Sequence, residues 1–220
     1  MRGKLSVPFT VALCCLALLS GCTMGGRSIE MQSEDVLSTS AQWRQEGAPW
    51  LCFYTTDLEP ESAPEGEALV GYDHIYKKGW MCWESLDNIY QGAVWFPVKE
   101  RIGSRPVKSA TLTFNNLRTD CTTGQNSCAV RLGLAQAKWS EEHTGLIPAE
   151  SYSEVTCSPT GQVSVDVTEA LRRWTSESDP NSAFVLMGAR QAFEDFSNEG
   201  MAAEERCLSW YGDFVLTVTF

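Results

Sequence analysis

The chain has 220 residues, 43% of them hydrophobic and 10% aromatic, a composition that excludes an intrinsically disordered chain. Its 28 acidic and 17 basic side chains give a formal charge of −11, which excludes nucleic acid as a general partner, because such binding depends on Lys and Arg displacing counterions. By the same rule the molecule as a whole is repelled by anionic headgroups, and its length suits one domain with an attached segment.

Residues 1–21 read as an export signal, with Arg2 and Lys4 ahead of a short apolar run from Val11 to Leu19. That run is too short to cross a membrane, which takes about 20 apolar residues. Leu19-Ser20-Gly21-Cys22 resembles the lipobox of bacterial lipoproteins: a branched apolar residue, two small residues and a cysteine. The resemblance implies cleavage before Cys22 and acylation of that cysteine, a lasting anchor without a spanning helix. Thr23 follows rather than the Asp associated with inner-membrane retention, so the expected location is the bacterial cell envelope, at the outer membrane.

Residues 22–48 are polar and poor in apolar periodicity, which predicts a flexible tether of about 30 Å end to end. Residues 49–220 form the expected domain. It opens with strand-like sequence from Trp50 to Thr56 and an acidic, Pro-containing loop from Asp57 to Ala68. The runs 92–98, 107–114, 128–139, 163–167, 183–189 and 213–220 are rich in β-branched and aromatic residues and are separated by turn formers, which predicts strands. Ala110, Leu112 and Phe114 fall on one face of their run, as do Phe214, Leu216, Val218 and Phe220, the pattern of half-buried antiparallel strands. One short helix is predicted at "VTEALRRWTS", capped by Thr168, with Leu171 and Trp174 facing one way and Asp166 fixing the turn into it. The expected fold is therefore all-β, a two-sheet antiparallel sandwich of the jelly-roll type.

Of nine cysteines, Cys14 and Cys15 leave with the signal and Cys22 is acylated, which leaves Cys52, Cys82, Cys121, Cys128, Cys157 and Cys207. Six in an oxidising compartment predict three disulfides. Cys121 and Cys128 bracket a short polar loop between strand-like runs, so they are expected to pair, a closure worth roughly 2.5 kcal/mol. The other four allow three pairings. No C-x-x-C spacing occurs, and neither His74 nor His143 lies in a ligand-like cluster, so no metal site is predicted. Loop carboxylates leave room for a structural calcium, though no loop has a recognisable ligand spacing, and no other cofactor is expected.

"SATLTF", "AVRLGLAQAKWSEEHTGLIP", "VSVDVTEALRRW", "NSAFVLMG" and the final "FVLTVTF" occur in the order and spacing of DNRLRE-type β-sandwich domains of bacterial and archaeal surface proteins. The resemblance covers residues 90–220, with "VDVTEALRRW" its most specific element. It departs in lacking a tryptophan at 144–148 and in carrying six cysteines. Domains of this kind resemble carbohydrate-binding modules, so the resemblance implies a polysaccharide ligand.

Sugar binding needs flat aromatic faces beside polar groups. Tyr72, Tyr76, Trp80 and Trp83 crowd into one Gly-containing segment near Lys77, Lys78, Glu84 and Asp87, and Trp210 with Tyr211 is a second candidate platform. Core packing is the ordinary fate of a tryptophan, and it is expected for Trp95, Trp139 and Trp174, which sit in strand or helix patterns. No nucleophile elbow, zinc-protease helix, phosphate loop or dinucleotide fingerprint is present. The acidic pairs Glu84 with Asp87, Glu194 with Asp195 and Glu204 with Glu205 are ordinary in a chain with 28 acids, and no catalytic residue is expected. The expected function is that of a membrane-anchored, non-catalytic glycan-binding lipoprotein, attached to the membrane through its lipid alone. The alternative is a structural or protein-docking module whose partner is an envelope protein.

Overall fold

A computed structural model describes residues 27–47, 60–78, 80, 82–122, 130–136, 145–155, 161–176, 183–188 and 204–220. The signal segment, Cys22, Cys52, Cys128, Cys157, Trp139 and the Glu194–Asp195 pair lie outside the described residues. The strands are β1 (Ser28–Gln32), β2 (Asp35–Gly47), β3 (Ala68–Lys78), β4 (Trp83–Trp95), β5 (Ser109–Cys121), β6 (Val130–Ala135), β7 (Ala149–Val155), β8 (Gly161–Asp166), β9 (Ala183–Gly188) and β10 (Glu204–Thr219). Two helices, α1 (Val98–Ile102) and α2 (Thr168–Ser176), complete the described elements.

All described pairings are antiparallel. They build one curled, nearly closed, barrel-like sheet in the order β7-β6-β9-β4-β3-β10-β5-β8, with β1 added on β10 and β2 on β4. The all-β expectation holds, and the predicted strand runs coincide with β5, β6, β8, β9 and the ends of β4 and β10. Two expectations change. Residues 28–47 are not a tether, because Ser28–Gln32 and Asp35–Gly47 are strands hydrogen-bonded to β10 and β4 along their lengths. The run ending at Val98 leaves the sheet after Trp95; Pro97, whose ring cannot donate to a ladder, follows, and Val98 begins α1.

Two long strands organise this sheet by changing partners partway along one edge. On β4, the pairing with β3 ends at Tyr90 opposite Gly71, and the pairing with β9 begins at Gln91 opposite Met187. On β10, the first half pairs with β3 and the second with β1, while β5 follows the other edge throughout. The β10–β5 register shifts twice, between Trp210 and Tyr211 and between Gly212 and Val215, with Asp213 at φ 55° and hydrogen-bonded from Asn115 at 2.9 Å. At the β4 branch, Gly71 has φ 137°, a Cβ there would sit 2.0 Å from the Cys207 carbonyl oxygen, and one on Gly188 would sit 3.2 Å from the Gly71 Cα. The close passage of β3, β9 and β10 requires the glycine at 71, and a Cβ on Gly188 would be tight against it.

The main core draws Phe184 and Leu186 from β9 and Leu132 from β6 against Leu112, Phe114, Val165, Phe214 and Leu216 from β5, β8 and β10. Helix α2 lies across this core. Leu171 and Trp174 are buried on one side of it, as predicted, with the Trp174 ring 4.7 Å from that of Phe184. The Val167 carbonyl accepts the first helical bond, from Leu171, and the Asp166 carboxylate accepts the Thr168 N–H at 2.8 Å, so Asp166 fixes the turn as expected. Thr168 does not cap its own helix: its hydroxyl accepts the Ala110 N–H at 3.0 Å and ties α2 to β5. Trp95 is half-buried against a smaller cluster of Ala93, Val185 and Met187.

Cys121 bonds Cys207, not Cys128. The two face each other across the β5–β10 register, a contact between residues 86 positions apart that only sheet pairing brings together. Cys82 is disulfide-bonded as well.

Substituting Gly71→Ala should cost at least about 3 kcal/mol, because both the backbone conformation and the Cys207 carbonyl exclude a Cβ. Chemical denaturation of the variant beside the parent measures it. Gly66→Ala, also at positive φ but with open space around it, should cost less.

Candidate functional site

Side chains alternate along a strand, so cross-strand partners share a face. In the β2–β4–β3 ribbon the register places Trp43 opposite Asp87 and Asp87 opposite His74; Ser85 is opposite Tyr76, and Trp83 is opposite Lys78. One face of the ribbon therefore carries Trp43, Trp83 and Tyr76, together with Ser85, Asp87, His74 and Lys78. Tyr72, two residues before His74, extends it. Trp83 and Tyr76 are half-buried with ring centroids 6.2 Å apart and planes inclined by 40°, Trp43 is 38% exposed, and Trp80 in the β3–β4 turn is 96% exposed. Four of the six aromatics expected to form a binding platform, Tyr72, Tyr76, Trp80 and Trp83, thus lie on one ribbon face and its tip.

Beneath the aromatics is a buried polar cluster. The Asp87 carboxylate bonds the His74 ring through Nδ1 with one oxygen and accepts the Ser85 hydroxyl at 3.0 Å with the other. The Tyr72 hydroxyl donates to Glu205. Asp87 is the hub, since both Ser85 and His74 bind it rather than each other. Sequence reasoning set His74 aside because it lies in no ligand-like cluster along the chain; its partner is 13 residues on, and the signal was the hairpin pairing of β3 with β4, which matches 76 with 85 and 74 with 87.

Trp210 and Tyr211 do not form a platform. Trp210 is buried on the opposite face with Leu69, Tyr90 and Leu208, under the Arg118 guanidinium 3.8 Å from its ring and beside Ala63. Tyr211 is buried in the main core, edge-on to Phe114 at 5.6 Å. Both belong to a strand, which packs its side chains on either face. The acidic pairs are separated by the same alternation. Glu84 is buried near Arg44 at 3.4 Å on the face away from Asp87, and Glu204 and Glu205 point to opposite sides of β10. Among the described residues no group of three or more His, Cys, Asp or Glu is arranged to hold a metal.

On the far face of the ribbon, Arg206 sits among Glu61 at 2.8 Å, Asp120 at 3.1 Å and Asp73 at 4.0 Å, tying the 60–67 segment to β3, β5 and β10. Burial pushes the Asp73 carboxyl above the usual range; Arg206 opposes that shift, and Glu61, Asp120 and Glu204 add to it. A separate groove of about 590 Å³ lies between β7 and α2, lined by Leu134, Tyr152 and the pairs Arg173–Glu150 at 3.0 Å and Arg172–Glu169 at 2.6 Å. Its charges are largely spent on one another, and it carries a single aromatic ring.

No protein-family model matches the chain, and no curated protein matches it in a sequence search.

The Asp73 shift has a testable sign. A carboxyl raised in the folded state favours folding below the ordinary carboxylate range, and that contribution is lost as pH rises through the raised value. Asp73→Asn should therefore melt at or above the parent at neutral pH, and the gap should close as the pH falls toward 3.8. Thermal melts across that range check it.

Proposed function

We propose that the chain is a glycan-binding module of the bacterial envelope, held to its membrane through acylated Cys22. One observation carries the glycan reading: Trp43, Tyr76 and Trp83 share a strand face with Ser85, Asp87 and His74, and exposed Trp80 stands at its tip. Aromatic faces receive the C–H side of a pyranose, the buried Ser85–Asp87–His74 cluster beneath them ties the two strands of the ribbon together, and exposed Lys78 on the same face offers a donor to sugar hydroxyls. The chain's excess of acids favours a neutral polysaccharide over an acidic one.

The curled sheet supports the jelly-roll reading, since its core is built from β6 and β9 against β5, β8 and β10, two layers that one sheet folds over to make. A DNRLRE-type sandwich is the family likeness that fits this layering.

Trp80→Ala and Trp83→Ala should weaken binding to an envelope polysaccharide by about tenfold or more, as aromatic anchors do. Trp80→Ala should leave stability within about 0.5 kcal/mol, because its ring is in solvent. Trp174→Ala, a core truncation, should cost roughly 3 to 5 kcal/mol. A glycan array followed by melting curves on the three variants separates the readings. Intact glycan binding by the Trp80 and Trp83 variants would favour protein docking instead.

Cys22→Ala should abolish incorporation of a clickable fatty acid and leave the protein removable from membranes by a high-salt wash, since the lasting anchor rests on that one thiol. Incorporation that persists in the variant would remove the lipoprotein reading.

A further inference from the structure

The acidic total conceals a basic end. Arg27, Lys99, Arg101, Arg105, Lys108 and Arg172 converge where β1 begins and β10 finishes. The Phe220 N–H binds the Arg27 carbonyl at 3.1 Å, and the Lys108 N–H binds that of Thr219 at 2.8 Å. Arg105 lies 4.3 Å over the Phe220 ring, donates to the Ile102 carbonyl at 2.8 Å and also bonds the Arg101 carbonyl. Arg172 reaches from α2 to the carbonyls of Val107 at 3.1 Å and Lys108 at 3.0 Å. Arg27, Lys99, Arg101 and Lys108 are exposed. The acids among them are Glu100, Asp166 and Glu169, the last two facing Arg172, and none occurs from Arg101 to Lys108.

The described part of the chain begins at this same end. Arg27 is five residues from Cys22, so an acyl chain on Cys22 lies within about 18 Å of the basic groups even with the connection fully extended. We propose that this end is a membrane-contact surface that engages the phosphate-bearing headgroups of the bilayer holding the anchor. The proposal takes its orientation from the acylation reading. A short leash and a local positive field act together: the anchor confines the domain to within a few Debye lengths of the surface, where each cation contributes, while the acidic remainder is repelled and turned outward. The β3–β4 tip with Trp80 would then be held by its fixed place in the sheet rather than by a loose tether.

The test is partition of the mature chain, residues 22–220 carrying Cys22→Ala, onto vesicles of phosphatidylcholine alone or of equal parts phosphatidylcholine and phosphatidylglycerol. Binding is expected to the anionic vesicles and to weaken as salt is raised. Combined Lys99→Glu, Arg101→Glu and Lys108→Glu should reduce it by more than about fivefold for each charge removed. Lys77→Glu with Lys78→Glu, on the β3–β4 hairpin, should leave it unchanged. Equal partition onto both vesicle types, indifference to salt, or undiminished binding by the triple variant would overturn the proposal. The assay contains no acyl group, so failure here with fatty acid still incorporated at Cys22 removes the contact surface alone, and the converse result removes the anchor alone.

Discussion

The close passage of β3, β9 and β10 at Gly71 is the constraint on which the other features rest. Because Gly71 has no Cβ, with Gly188 close beside it, β3 can separate from β4 at Tyr90 and make room for β9 on the same edge. That branching lets one sheet curl far enough to enclose a core containing Phe114, Phe184 and Phe214. It also leaves the far halves of β3 and β4, with β2 alongside, as a three-stranded ribbon. The aromatics of the candidate site stand on that ribbon. Without the branch, β3 would continue beside β4 and the place taken by β9 would be filled.

Legibility in the sequence followed the burial of each element. The runs that became β5, β8, β10 and α2 could be read because their apolar residues recur at the strand or helix period, and β9 because it is an unbroken apolar run buried on both faces. β1 and β2 could not. SIEMQ and DVLSTSAQWRQEG carry few apolar residues: Met31 reaches the main core, Ile29 and Val36 pack against its edge and Leu37 against the smaller cluster, too short a stripe to read in sequence, so their place in the sheet rests largely on backbone pairing with β10 and β4. The Cys121 partner was hidden for a related reason. The local spacing to Cys128 is visible in one dimension, whereas the pairing of Cys121 with Cys207 depends on β5–β10 register. Trp210 and Tyr211 look like a loop platform beside Gly212, but a strand with two register shifts runs through them and buries both.

The same geometry decides which polar groups can act together. Residues an odd number of positions apart on a strand point to opposite faces, so neither Glu84 with Asp87 nor Glu204 with Glu205 converges. His74, Asp87 and Ser85 do converge, because hairpin register matches residues around the turn. Tyr72, Tyr76 and Trp83 share their face, and Trp43 is brought to it from a strand 40 residues upstream. Charge is also distributed by topology: Arg206 holds an acidic cluster on the far face, and six cations gather where the described part of the chain begins. A basic base, an acidic body and an aromatic tip give the molecule a direction that its net charge of −11 does not convey.

The most direct measurement of the central claim is a titration of the tryptophan indole N–H resonances with a neutral envelope polysaccharide fragment. The account predicts that Trp43, Trp80 and Trp83 shift together along one saturating curve while buried Trp174 and Trp210 stay in place. Shifts confined to Trp174 or Trp210, or no shift at Trp80 and Trp83 under conditions where the polysaccharide demonstrably binds, would contradict it.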